Sequence, residues 1–96
     1  MKPEDKDRKK AWVMEQKARA RADFPLSDAD LLALFEYIES EIGRSGCADD
    51  RRLTRAWLED RHLDVVLVLA WLDTAGGFCD CEVASNARDH WETNRR

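Results

Sequence analysis

Cys79 and Cys81, with Asp80 and Glu82 interleaved, place two thiols and two carboxylates in four consecutive positions directly after Gly76-Gly77-Phe78. Thiolates are favoured ligands in tetrahedral zinc sites, so this run first suggests a metal centre. Cys47 is the remaining cysteine and could supply a third sulfur. His62, His90, Asp49 and Glu82 are the candidates for a fourth ligand, none at a diagnostic spacing. Zinc ligand pairs usually have about two to four residues between them, so Cys-x-Cys is a poorer match than Cys-x-x-Cys. Asp80 and Glu82 alone are too few for calcium or magnesium, which take about six or more oxygens.

Two other readings of the thiols compete with the metal. Free cysteine behaves as a small hydrophobe, so Phe78, Cys79 and Cys81 could close a core beneath the glycine turn, with Asp80 as a helix cap and Glu82 on the helix dipole. A cysteine at a helix N-terminus could instead be a reactive thiolate. The single-residue spacer argues against a thioredoxin-like role, and a Cys79–Cys81 disulfide would close a small, strained ring. Three cysteines cannot form a closed disulfide framework, which suits a reducing compartment. There is no phosphate-cradling glycine loop and no Gly-x-Ser-x-Gly, and His62 and His90 sit in no motif. No residue is therefore assigned a catalytic or cofactor-binding role, and the expectation leans away from an enzyme.

The elements that must position these residues read as helices. Residues 7–22 are good helix formers whose apolar residues, Trp12, Val13 and Met14, gather on no single stripe. This segment is expected to pack weakly, or on a partner through Trp12. Phe24-Pro25 interrupts it. Ser27 is then placed as an N-cap with Asp30 three residues on, Leu26 and Leu31 are spaced as a hydrophobic staple, and Asp28 and Asp30 suit the positive end of the dipole. Leu31, Leu34, Phe35, Ile38 and Ile42 make one helical face, and Gly43 and Gly46 are expected to end it. Asp49 or Asp50 can cap a short helix whose buried side reads Leu53, Ala56, Trp57. Asp64 caps another, in which Val65 to Leu72 is apolar nearly all round and predicts a buried helix closed by Gly76. Arg55-Ala56-Trp57-Leu58-Glu59 echoes Leu69-Ala70-Trp71-Leu72-Asp73, so each of the two short helices is expected to bring a tryptophan to one core. Val83, Ala87 and Trp91 step by four and predict a last helix from about Asp80 or Glu82 to Trp91. Thr93 to Arg96 are expected to fray.

Composition sets the frame. Ninety-six residues suit one domain, 44% hydrophobic content suffices for a single core, and 38% charge favours a solvated helical surface. The fold expected is mainly α: a compact bundle of four to five short helices (residues 23–96) behind a basic helical extension (residues 1–22). The longest apolar run falls far short of the ~20 residues that span a bilayer, and the first residues do not read as a secretory leader. The expectation is a cytoplasmic chain with no membrane partner. The net charge of −4 divides unevenly: residues 1–21 carry eight Lys or Arg against four acids, and residues 22–96 carry eight Arg against sixteen acids. Any nucleic-acid contact would therefore fall to residues 1–21. The helix pair over residues 50–75 invites a helix-turn-helix comparison, but its second helix lacks the side chains that read base edges.

The run Gly76-Gly77-Phe78-Cys79-Asp80-Cys81-Glu82-Val83, with Asn86 following, resembles the pattern of domain-of-unknown-function family 2695, small bacterial proteins. Gly46-Cys47 followed by Thr54, then Trp57-Leu58, and the Ala70-Trp71-Leu72 segment are similar to it as well, so the likeness covers about residues 30–86. The resemblance implies that Cys47, Cys79 and Cys81 belong to one constellation, and it implies no activity. It also implies Asp-His directly after the first cysteine, where this chain has Ala48-Asp49. If that histidine is a ligand, Asp49 has to replace it. The function expected is a protein-interaction or structural module with a cysteine cluster at a helix junction and an unidentified protein partner. The alternatives are a structural zinc protein and a nucleic-acid binder acting through the arm.

Overall fold

The computed structural model describes residues 3–96, and these form helices joined by short loops. Their order is α1 (Pro3–Ala22), α2 (Asp28–Ser45), α3 (Arg52–Asp60), α4 (Val65–Ala75) and a last helix, α5, made of Asp80–Glu82, a π-helical stretch Val83–Ala87, and Arg88–Asn94. The mainly α fold expected from the sequence is the fold observed.

Local chemistry explains most boundaries. The Asp30 N–H donates to Ser27 Oγ at 3.1 Å and opens α2. Gly43 lies inside α2, and the helix ends only at Gly46, whose positive φ of 77° lets its N–H reach the Ile42 carbonyl at 2.8 Å. The Leu67 N–H donates to Asp64 Oδ1 at 3.0 Å and opens α4.

The core is one cluster: Leu31, Leu34, Phe35 and Ile38 from α2; Trp57 and Leu58 from α3; Val68, Trp71 and Leu72 from α4; Val83, Ala87 and Trp91 from α5. The two echoed tryptophans do enter the same core. Two expectations about faces and one about the tail need correction. On α3, Thr54, Trp57 and Leu58 are buried while Ala56 is exposed, because the helix turns its Thr54 side toward the start of α5. On α4, Val66 and Leu67 face solvent, since only one side of the helix meets the core. The C-terminal tail is not frayed through Thr93 and Asn94: both are helical, Arg95 stacks over the Trp91 ring at 4.5 Å, and Arg21 Nη1 donates to the Asn94 carbonyl at 3.0 Å.

Trp91 locks the ends together. It is fully buried, packs against Phe35, and donates from Nε1 to Asp28 Oδ1 at 2.8 Å. α1 packs on α5 and leaves Trp12, Val13 and Met14 exposed. With α1 extended the molecule measures 53 × 25 × 20 Å. No helix among the described residues is long and apolar enough to cross a membrane.

Candidate functional site

The distinctive run starts as a helix stop. Gly76 adopts the left-handed conformation (φ 80°, ψ 22°) that closes α4, and the Gly77 N–H donates to the Leu72 carbonyl at 2.8 Å. Gly77 is required by proximity, not by its φ. A Cβ there would sit 3.1 Å from Val83 Cγ2 and 3.2 Å from Leu72 Cδ2, so α4 and α5 cross at a point with no room for a side chain. Asn86 ties the crossing: its Nδ2 donates to the Gly76 carbonyl at 3.1 Å and lies 3.4 Å from Glu82 Oε2.

Asp80 is buried, with 1% of its surface exposed. Its carboxylate accepts from the Leu53 N–H at 3.0 Å, the Thr54 N–H at 3.1 Å and the Thr54 hydroxyl at 2.8 Å. These are the free donors of the first turn of α3. Arg51 stands at the N-cap of that helix and supplies no side-chain acceptor. Asp80 therefore caps α3 from a distant segment, and its own N–H donates to the Asp50 carbonyl at 2.8 Å. Asp50, expected as a possible cap, contributes a smaller part: Oδ1 accepts the Arg52 N–H at 3.2 Å, and the carboxylate also holds the Arg52 guanidinium. Sequence reasoning missed the Thr54–Asp80 link. The available signal was the absence of a capping side chain at the start of α3.

The thiols lie beside this frame rather than inside it. Cys47 and Cys79 are half-buried and Cys81 is exposed, and Phe78 is exposed as well. The expected closing of a core by Phe78, Cys79 and Cys81 is thus corrected. The core beneath the turn is filled by Leu72 and Val83, and Phe78 and Cys81 point outward.

Cys47 sits between Gly46 and the Ala48-Asp49 turn, where Asp49 takes a positive φ of 60°. There it comes against both other thiols. The Cys81 thiol, the Cys81 N–H, the Asp49 N–H and, more weakly, the Cys79 thiol all favour the Cys47 thiolate, and its pKa falls below the usual thiol value. The effect on the partners is opposite. Cys81 is pushed up to about 11, first by the Cys47 sulfur, with burial and the negative charges of Cys47, Cys79 and Asp49 adding to it. The Glu82 N–H favours the Cys79 thiolate, but burial and the Cys47 sulfur outweigh it and its pKa ends raised. Cys47, Cys79, Cys81 and Asp49 therefore share one corner.

The remaining ligand candidates do not gather there in the same way. His90 packs against Phe24 and Trp71, with ring centroids 6.4 and 6.0 Å away, and contacts Asn94. His62 takes a positive φ in the α3–α4 turn. Glu82 is turned to Asn86. Among the described residues, no three His, Cys, Asp or Glu side chains stand in an arrangement that holds a metal as they are. The thiols neighbour one another without closing on a common point.

A small cleft of about 160 Å³, lined by Cys47 together with Ser45, Arg52, Leu53 and Asp80, opens beside them. Arg51 braces the glycine turn against α4. Its Nη1 donates to Asp73 Oδ1 at 2.8 Å, to the Leu69 carbonyl at 3.2 Å and to the Gly77 carbonyl at 3.4 Å.

Comparison with known proteins places this corner in a lineage. The family model described as "Protein of unknown function (DUF2695)" matches residues 34–86, just over half of the chain and inclusive of all three cysteines. The chain is similar to the uncharacterized protein Rv2271 of Mycobacterium tuberculosis and to the uncharacterized protein Mb2294 of Mycobacterium bovis. Each is 24% identical over 88 residues, 88% of this chain and 89% of the relative. No solved structure matches.

Proposed function

The chain belongs to the family described as protein of unknown function (DUF2695), and from that footing we propose that it is a helical interaction module whose thiol corner binds a soft metal ion, zinc first. Cys47, Cys79 and Cys81 are the thiolate ligands, and Asp49 supplies the fourth position. One observation carries the reading. In and just after the glycine–cysteine run, four residues have structural work: Gly77 makes room for the helix crossing, Asp80 caps α3, Val83 fills the core and Asn86 ties the turn. The thiols have none, yet they meet a third thiol from the α2–α3 loop.

The chemistry suits zinc. Zinc–sulfur bonds of about 2.3 Å in a tetrahedron need sulfurs somewhat under 4 Å apart. Half-exposed and exposed cysteines can reach that by changing rotamer, without disturbing the core. Asp49 lies where the family pattern implies histidine, and zinc accepts a carboxylate oxygen. The Cys47 sulfur is the main cause that raises the Cys81 pKa, and the charge of Asp49 adds the smallest part, so both act on the same corner. Metal binding would remove the proton that the Cys47 sulfur holds on Cys81.

The test is elemental analysis of protein purified under reducing conditions without added metal, followed by titration of the metal-free protein with zinc and with cobalt. One equivalent bound, with thiolate-to-cobalt charge-transfer absorption that is lost in Cys47→Ser and Cys81→Ser, is the expected result. Metal-free protein that takes up neither ion refutes the site.

A further inference from the structure

We propose that the exposed arm helix α1 docks on the outer face of α4 of a second copy of this chain. Neither surface belongs to the thiol corner, so the proposal stands or falls independently of the metal reading.

α1 is 20 residues long, about 30 Å of helix. Its C-terminal half is held by the body. Arg21 bonds the end of α5, and Gln16, Arg19, Ala20 and Asp23 line a shallow groove with Trp71, Thr74 and His90. Its earlier part holds Trp12 at 61% and Met14 at 61% exposure, with Val13 at 38% between them. Around them stand Arg8, Lys9, Lys10 and Lys17, all exposed or half-exposed. Exposed tryptophan in a basic setting is a typical anchor for a partner surface.

α4 offers the matching chemistry. Val66 is 80% exposed and Leu67 53%, with exposed Ala70 one turn on. Asp64 opens that helix, and Asp73 lies two turns beyond Val66 on the same side, its carboxylate half-exposed beside Arg51. α4 thus carries exposed apolar residues flanked by acids, and α1 carries exposed apolar residues flanked by bases.

The charge balance supports a second copy as the occupant. The arm, residues 1–21, carries +4 and residues 22–96 carry −8, which together give the net −4 of the chain. Two identical chains can satisfy both halves at once, each arm on the other's body, which is a closed twofold arrangement. In its own chain α1 is fixed by α5 with Trp12 and Met14 in solvent, so docking of that part has to occur in trans.

Light scattering and sedimentation across a concentration series test this, at low and at high salt. The expected result is a doubling of the 11.1 kDa chain mass that weakens as salt rises, because exposed charges more than ~10 Å apart are screened at 0.1 M. Trp12→Glu and Val66→Asp change exposed residues and should each leave a folded, monomeric chain by circular dichroism and mass. Mixing the two variants should restore association above either alone, because one intact arm then meets one intact body. A wild-type chain monomeric at every concentration overturns the proposal, including one that instead shifts a DNA duplex in a salt-dependent way. A dimer indifferent to both substitutions, or a mixture no heavier than its parts, overturns it too.

Discussion

Replacing Asp80 with alanine should be among the most damaging single changes to this fold, although Asp80 lies in the most chemistry-rich stretch of the sequence. The carboxylate is buried and accepts three hydrogen bonds, from the Leu53 N–H, the Thr54 N–H and the Thr54 hydroxyl. Hydrogen bonds to a charged group are worth about 1.5–3 kcal/mol each, and a buried donor left without a partner costs about 1–3 kcal/mol. Thr54 is fully buried, so water cannot readily replace the lost acceptor at its N–H and hydroxyl. Leu53 is only half-buried and recovers part of its loss. Removing the carboxylate also relieves the cost of burying it. The net is about 3–5 kcal/mol, from two fully buried donors left unpaired and a third partly rehydrated. For a chain of this length total stability is roughly 5–14 kcal/mol, so Asp80→Ala should lower Tm by roughly 15–30 °C.

Urea unfolding followed by far-ultraviolet circular dichroism measures the loss. Thr54→Val keeps shape and removes one of the three bonds, and should cost about 1 kcal/mol. The double variant should then be less destabilised than the sum of the singles, because both remove the same hydroxyl–carboxylate bond. An Asp80→Ala loss below about 1 kcal/mol, or strict additivity with Thr54→Val, would refute the assignment of Asp80 as the cap of α3.

Three further outcomes follow from the geometry. Gly77→Ala should destabilise by about 1–3 kcal/mol, since its Cβ would press on Val83 and Leu72, whereas Gly43→Ala, in open space inside α2, should stabilise by about 0.5–1 kcal/mol; equal effects by thermal melting would contradict the crossing described here. Arg51→Met should cost about 1–2 kcal/mol through its bonds to Asp73 and to the Leu69 and Gly77 carbonyls, against near-neutrality for Arg19→Met, whose partner Glu15 is as exposed as itself. In metal-free protein, Cys47 should be alkylated before Cys81 near pH 7.5. The lowered pKa of Cys47 leaves more thiolate there, while Cys81, pushed up to about 11, stays protonated until alkaline pH; peptide mass spectrometry showing Cys81 modified first would reverse the sense of the thiol network.

The sequence was legible where one segment carries its own instructions. α2 has its cap, its apolar stripe and its stop within a single stretch, and only the choice between Gly43 and Gly46 was ambiguous, because glycine in a helix interior is tolerated when nothing forces a turn. α4 was legible as a helix but not as a half-exposed one: eight consecutive apolar residues say nothing about how many neighbours exist to cover them. The cap of α3 was illegible because Thr54 and Asp80 are 26 positions apart, and no local pattern links them. The three thiols could be assigned to one constellation through the family resemblance. Their exposure could not be, since cysteine is equally at home as a buried hydrophobe.

That exposure bears on what a metal would do for this fold. In small zinc modules the ion supplies the folding energy, and the chain is unfolded without it. Here the corner is already fixed by other means: Asp80 holds α3, Asn86 holds the end of α4, Arg51 bridges α4 to the glycine turn, and an aromatic core lies beneath. The side chains that would bind the ion lie outside these contacts. An ion at Cys47, Cys79 and Cys81 would therefore tether the α2–α3 loop to the start of α5 and leave the bundle intact in its absence. Chelation should raise hydrogen exchange at Gly46–Asp50 and lower Tm by several degrees, while a cooperative melting transition remains. Complete unfolding on chelation would mean that the hydrogen-bonded frame is too weak to stand alone, and would move the energetic centre of the domain from Asp80 to the thiols.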